Sequence, residues 1–191
     1  MEISLKSKAK ATVSFITRFI KTASLVVLLC TATNMAVNAK TVEIDRKKHI
    51  AEYKRAKDNI KQVDCLTKNI YYEAGHEPLE GKYAVAQVTI NRLESGKFPS
   101  SVCGVVYQKS MIADKMVCQF SWSCENYRQK PINREIWEES RKVAKKFVVE
   151  NYRMKKMQSA YYFHNDQVSP NWGKKKVAKI GRHIFYSDRK A

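Results

Sequence analysis

The stretch Asn69-Ile-Tyr-Tyr-Glu73-Ala-Gly-His-Glu-Pro78-Leu-Glu-Gly-Lys-Tyr83-Ala-Val-Ala-Gln-Val88-Thr-Ile-Asn-Arg-Leu93 reads as two helices and the turn between them. Leu66, Asn69, Ile70 and Glu73 recur at i, i+3, i+4 and i+7, which sets them on one helical face. The spacing predicts a helix from Cys65 to about Ala74, with Asp64 as its N-cap and Gly75 as its stop. Glu73 then lies among apolar neighbours. Burial disfavours a charged carboxylate and raises its pKa, so a group placed there keeps its proton near neutral pH and can hand it to a leaving group. His76-Glu77-Pro78 makes the turn, and Pro78 or Leu79 opens a second helix that runs to about Glu94. Ser95-Gly96 and Pro99 break it.

Beyond this pair, Ser100 is placed to cap a third helix through Val105, Val106 and Tyr107, followed by a polar loop and an aromatic loop closed by cysteines. Pro131-Ile-Asn133 introduces a long helix over about Arg134–Glu150, with Ile136, Val143, Ala144, Phe147 and Val148 on its buried side. Ser159–Phe163 and His183–Tyr186 have the aromatic and β-branched character of short strands that pair antiparallel. The fold class expected is α+β: a mostly helical single domain with a small antiparallel β-sheet, over residues 63–191.

The N-terminal end has a different character. Lys6, Lys8, Lys10, Arg18 and Lys21 precede an apolar run of about ten residues, Ala23 to Ala32, and then Ala36-Val-Asn-Ala39. That order is the order of a secretory signal peptide over residues 1–39, cleaved after Ala39, with an uncleaved membrane anchor as the alternative. Its apolar run falls short of the roughly twenty residues a spanning helix needs. Residues 40–62 form a charged lead-in, a solvated helix or a flexible segment, in which Ile44, Ile50, Tyr53 and Ile60 are too sparse to mark a core face.

The chain has 191 residues, with 36 Lys and Arg against 18 Asp and Glu, a formal charge of +18. Loss of the leader's five basic residues and one acidic residue leaves +14 on Lys40–Ala191. Such an excess favours polyanions, and in an exported protein these are an anionic cell envelope rather than nucleic acid. No zinc finger or aromatic-basic RNA-binding sequence is present, so a specific nucleic-acid partner is not expected, and the protein reads as a monomer. Cys30 falls in the leader, where Val27-Leu28-Leu29 lacks the small residues of a lipoprotein signal. Cys65, Cys103, Cys118 and Cys124 are an even set that allows three pairings. Cys65 with Cys103 and Cys118 with Cys124 is preferred, because Cys118-Gln-Phe-Ser-Trp-Ser-Cys124 can close a compact loop. No C-x-x-C, H-E-x-x-H or G-x-S-x-G occurs, so neither a zinc site, nor a metallopeptidase, nor an acyl-transferring serine is expected.

Asn69-Ile-Tyr-Tyr-Glu-Ala, Glu77-Pro-Leu-Glu-Gly, Ala84-Val-Ala-Gln-Val and Asn91-Arg92 resemble the core signature of the SleB-like cell-wall hydrolases, the family named for spore-cortex-lytic enzymes. The resemblance continues through Phe98-Pro-x-x-Val-Cys-Gly-Val-Val-Tyr107, Cys118-Gln-Phe-Ser-Trp122, Tyr162-Phe-His164, Trp172 and Ile180-Gly-Arg-His-Ile-Phe185, so that it covers about Cys65 to Tyr186. Gly75-His76 departs from the arginine that many relatives carry before Gly-Glu-Pro. The resemblance implies a lysozyme-like fold, cleavage of the peptidoglycan glycan strand between N-acetylmuramic acid and N-acetylglucosamine, and a catalytic acid at Glu73.

Two routes follow. A muramidase needs a second carboxylate as nucleophile or to activate water, for which Glu77, Glu80, Glu125 and Asp166 are the candidates. A lytic transglycosylase does without one, because the substrate's own 6-hydroxyl closes a 1,6-anhydro ring and ionised Glu73 takes its proton; the resemblance favours this route. Gln119, Ser121, Tyr161 and His164 are candidates for hydrogen bonds to the glycan, and Phe120, Trp122 and Trp172 for flat surfaces beneath the sugars. Glu80 can instead cap the second helix, Asn91 can reach the cleft or anchor a helix end, and His183 can be framework. No cofactor or metal is called for. A non-catalytic wall-binding protein is the competing class, and a peptidase or amidase lacks a metal or nucleophile.

Overall fold

The computed structural model describes residues 2–125 and 131–190, and the side chains of Met35, 37–125 and 131–188. The leader's basic residues and apolar run, with Cys30, lie outside the described side chains. Helix α1 spans Glu2–Ala74, and no Gly or Pro interrupts those residues. For that reason the helix does not start at Asp64, as the N-cap reading expected. Asp64 sits inside α1, where its carboxylate accepts from Lys68 Nζ at 2.7 Å.

Two compact units divide the chain, Met1–Lys54 and Arg55–Ala191. In the first, every described side chain is exposed, and Glu43 and Lys47 pair at 3.5 Å one turn apart. The charged lead-in is thus helix and solvated. Among the described residues no helix is long and apolar enough to cross a membrane.

The second unit holds the core. Burial starts at Val63, and from there Leu66 and Ile70 are fully enclosed. Each such side chain contributes about 2 kcal/mol by leaving water. Helix α2, Leu79–Glu94, is the hub, buried from Gly81 to Arg92 except at half-buried Tyr83. One side of it, with Ala86 and Ile90, packs with Leu66, Ile70, Val102, Phe120, Val143 and Phe147. The other, with Ala84, Val85 and Val88, packs with Ala74, Met157, Ile180 and Phe185. Short helix α3, Val102–Val106, is capped by Ser101, whose Oγ accepts from Gly104 N at 3.0 Å, one residue later than expected. Two hairpin strands follow, β1 at Lys109–Ile112 and β2 at Lys115–Cys118, where a loop was expected. Their turn, Ala113-Asp114, has φ of 47° and 61° and carries none of the glycine that usually marks such a turn.

Helix α4, Arg134–Val148, starts at Asn133, whose side chain accepts from Ile136 N at 3.1 Å. Ser140, Val143, Ala144 and Phe147 form its buried stripe, with Ile136 and Val148 half-buried beside it. The last part is a three-stranded antiparallel sheet ordered β3-β5-β4: β3 is Tyr162–Asn165, β4 Lys174–Ile180 and β5 His183–Lys190. The two aromatic segments pair as expected, Tyr162 with Tyr186 and Phe163 with Phe185. Strand β4 was not foreseen, because Lys174-Lys175-Lys176 reads as a solvated charge run; such lysines suit an edge strand. Gly181 turns β4 into β5 at φ 55°, and a side chain there would strike the Glu77 carboxylate. The whole is α+β and mostly helical, the class the sequence implied.

Candidate active site

Glu73 stands in the last turn of α1, where the buried face of that helix begins to emerge. One turn earlier Asn69 is fully buried, its amide donating to Thr89 Oγ1 at 3.2 Å and its oxygen accepting from Trp122 Nε1 at 3.3 Å. These bonds fix the end of α1 against α2 and the turn Ser121–Ser123. Glu73 itself is half-buried, and its carboxyl makes no hydrogen bond or ion pair among the described residues. Burial pushes its pKa up to about 7, against an opposing pull from the Arg92 cation. A carboxyl of that kind still holds its proton in about half of the molecules at neutral pH, and among the described residues nothing engages it. It is free to address a ligand.

Arg92 is 2% exposed, and its Nε donates to the Tyr161 carbonyl at 2.7 Å. Its guanidinium carbon lies 5.3 Å from the Phe98 ring centre, 5.6 Å from Phe120 and 5.8 Å from Tyr162. Nη1 is buried and has no partner among the described residues.

Two of the residues expected to face sugars do not. Phe120 is 4% and Trp122 7% exposed, both within the core, because Phe120 packs on Phe163 and Arg92 while Trp122 stacks on Tyr72 at 4.8 Å and bonds Asn69. Gln119 and Ser121 on either side of Phe120 are exposed. Tyr161 is half-buried and lines an open hollow of about 460 Å³ with Lys97, Gln158, Ser159, Ser187 and Asp188.

His164 and Trp172 come together on the outer face of the sheet. The His164 ring stacks on Tyr186 at 5.3 Å, with Nε2 at 3.0 Å from the Tyr186 hydroxyl and Nδ1 at 2.8 Å from the Asn165 carbonyl. Trp172, 42% exposed, sets its edge against both rings at 5.3 and 5.8 Å and reaches Tyr162 at 6.3 Å. Tyr162 and Tyr186 thus belong to this aromatic shelf and were not singled out from sequence. Strand alternation was the available signal, since Tyr162 and His164 share a face while Phe163 turns inward to Phe185. Tyr162 joins the shelf to Arg92, and Arg92 to Glu73.

The candidate second carboxylates are occupied elsewhere or stand in solvent. Glu77 Oε2 accepts from Arg182 N at 2.9 Å, Glu80 pairs with Lys156, and Asp166 pairs with Lys179 at 2.8 Å. Glu125 is exposed. Glu80 therefore makes an ion pair in the first turn of α2, and its carboxylate caps no backbone N–H of that helix. Asn91 is an anchor within the core, donating to the carbonyls of Met157 and Ala160, both at 2.7 Å. His183 is 5% exposed with Nδ1 unpartnered among the described residues, and burial lowers its pKa against the pull of Glu77. The sulfurs of Cys65 and Cys103 meet across α1 and α3, Cα atoms 5.2 Å apart, and those of Cys118 and Cys124 meet at the base of the hairpin, Cα atoms 6.1 Å apart. Among the described residues no group of three or more His, Cys, Asp or Glu is placed to hold a metal ion.

Comparison with known proteins adds relatives to this geometry. A family model described as cell wall hydrolase matches residues 76–186, opening just after Glu73. The chain is 30% identical over 129 residues to the spore cortex-lytic enzyme of Bacillus subtilis (strain 168), which covers 64% of this chain and 36% of that protein. It is 29% identical over 130 residues to the spore cortex-lytic enzyme of Oceanobacillus iheyensis, covering 64% and 40%. The chain spans well under half the length of these curated relatives. Among solved structures, the catalytic domain of the germination-specific lytic transglycosylase SleB from Bacillus anthracis shares the fold, with a TM-score of 0.51 at 23% identity over 66% of this chain and 93% of that one.

Proposed function

The chain belongs to the cell wall hydrolase family, and on that premise we propose that it is an exported peptidoglycan-degrading enzyme, a lytic transglycosylase in which Glu73 acts first as acid and then as base. The bond cut is the one between N-acetylmuramic acid and N-acetylglucosamine. The observation that carries this reading is the half-buried Glu73 carboxyl, unpartnered among the described residues and protonated up to about pH 7. Neutral Glu73 passes its proton to the bridging oxygen as the bond from the muramic acid C1 breaks. The carboxylate left behind takes the proton of the 6-hydroxyl as that oxygen closes on C1, and Glu73 is restored. Hydrolysis at the same bond would need a second carboxylate. The ties of Glu77, Glu80 and Asp166 to other groups support the route that needs none. Gln119, Ser121, Tyr161, His164 and Trp172 are proposed as glycan contacts, with the shelf of His164, Trp172 and Tyr186 beneath a sugar face.

The sign of the pH dependence follows from the acid role. Cleavage at low substrate requires protonated Glu73 in the free enzyme, so the rate falls as pH rises through about 7. Release of soluble fragments from purified sacculi between pH 5 and 9 is expected to show that descending limb, close to tenfold per pH unit beyond it. A rate that holds level to pH 9 would argue against Glu73 as the acid.

With a charge of +14 on Lys40–Ala191, the protein is further proposed to be held on the anionic envelope by unspecific electrostatics after export, its leader cleaved behind Ala39. Pull-down with sacculi is expected to weaken as salt rises from about 20 to 500 mM, since screening shortens the reach of those charges. Binding that ignores salt would remove electrostatics from the explanation.

A further inference from the structure

Arg92 is a cation in an unusual position. It is 2% exposed, its Nε is bound to the Tyr161 carbonyl at 2.7 Å, and three aromatic rings enclose its guanidinium. Nη1 is buried without a hydrogen-bond partner among the described residues, and no carboxylate there forms an ion pair with it. A buried charge left in that state is costly, by several kcal/mol in general. The carboxyl with which Arg92 interacts is that of Glu73, and the burial that would discharge Arg92 leaves it cationic, with a pKa of about 10. While Glu73 is neutral the cation lacks a counter-charge among the described residues. It gains one when Glu73 has given its proton away.

We propose that Arg92 is the fixed counter-cation of the Glu73 carboxylate, a positioning residue that stabilises the site after proton donation and so enables the base half of the reaction. The inference rests on the reading of Glu73 as acid and base. In the first half-step the Glu73 proton goes to the departing sugar's O4 as the C1–O4 bond breaks. In the second the 6-hydroxyl oxygen bonds to C1 and its proton returns to Glu73. Between the two the carboxylate is negative in a half-buried site, and an interaction made in that state and absent from the ground state accelerates the reaction. Arg92 is suited to this because its place is set by Tyr161 and the rings and owes nothing to Glu73. Other charged and titratable groups among the described residues engage one another. From β3 and β5, the Tyr162 hydroxyl donates to Asp188 at 3.1 Å, and Asp188 pairs with Lys97 and, at 3.8 Å, with Lys174. Glu77, His164, Asp166 and Arg182 act on His183.

The test is a carbon-13 NMR titration of the Glu73 carboxyl in the full-length protein and in Arg92→Met, Arg92→Gln and Arg92→Lys, with kcat and KM on sacculi fragments. Loss of the cation is expected to move the midpoint upward, on the order of one pH unit, and to lower kcat about tenfold or more at little change in KM. Arg92→Lys is expected to stay close to the unmodified protein in midpoint. An unmoved midpoint in a folded neutral variant overturns the proposal. Circular dichroism shows which variants fold. Should neither neutral one do so, the unmodified protein supplies the readout: the Arg92 Nε resonance is expected to follow the Glu73 midpoint and to lose that dependence in Glu73→Gln, and a resonance indifferent to Glu73 overturns the proposal. Full cleavage by Glu73→Gln would instead overturn the catalytic reading, whatever the titration shows.

Discussion

Glu73→Gln loses glycan cleavage by at least about a thousandfold, the upper part of the range for one acid–base group, because here one group serves in both directions. The amide has nearly the same shape but cannot give up a proton. The same substitution is expected to stabilise the fold above neutral pH, which separates lost chemistry from lost structure. The folded-state pKa of about 7 exceeds the ordinary 4.5, so between those values the native protein holds a proton that the unfolded chain has released. Stability contributed by that group is complete below about pH 4.5, declines as pH rises toward 7 and stays lost beyond it. The substituted amide never ionises and escapes the loss. At pH 8 thermal or urea unfolding should show Glu73→Gln ahead by on the order of 2 kcal/mol, and at pH 4 no such gain. A variant that is inactive and equally destabilised at both pH values would point to a framework role.

Asn91→Leu is expected to cost about 3–5 kcal/mol. Its amide nitrogen serves the carbonyls of Met157 and Ala160, and its oxygen accepts from Gln87 Nε2, all at 2.7 Å. Leucine fills a similar volume and leaves the Ala160 carbonyl and the Gln87 amide nitrogen without this partner, while the Met157 carbonyl keeps only its bond from Ala160 N at 3.0 Å. Each such group carries a penalty of about 1–3 kcal/mol. These bonds tie α2 to the segment leading into β3, the strand whose neighbour Tyr161 holds Arg92. A fall in melting temperature of more than about 10 °C is expected by circular dichroism. A shift under about 3 °C would mean that the segment is held by its apolar contacts alone.

The helical part of this fold was legible where side-chain period and punctuation agree. Gly75, Pro78 and Ser95 bracket α2, and Asn133 opens α4, so both were readable to within two residues. Asp64 misled because a residue fit to cap a helix also fits inside one, where Lys68 answers its charge. The decision lay in the lack of any Gly or Pro before Gly75. The hairpin and β4 were hidden for another reason. Their strands are stabilised by backbone pairing while most side chains stay in solvent, so no alternating apolar pattern records them. The position of Glu73 came from the pattern Leu66, Asn69, Ile70. Phe120 and Trp122 could not be assigned to cleft or core from sequence, since an aromatic ring suits either, and the bond from Trp122 to buried Asn69 decides for core. Arg92 stood within the family signature but was given no role, because a lone arginine in a helix is ordinarily solvated. Only the close approach of Phe98, Phe120 and Tyr162 shows that it is enclosed.

Mass spectrometry of the soluble products made from peptidoglycan tests the central claim most directly, with Lys40–Ala191 and its Glu73→Gln variant side by side. Muropeptides ending in 1,6-anhydromuramic acid, formed by the unmodified protein and absent with the variant, are the result expected. Products that carry a reducing muramic acid end, one water heavier, would contradict transglycosylation and demand a second carboxylate, and no glycan cleavage by the folded protein on several wall types would contradict the enzyme itself.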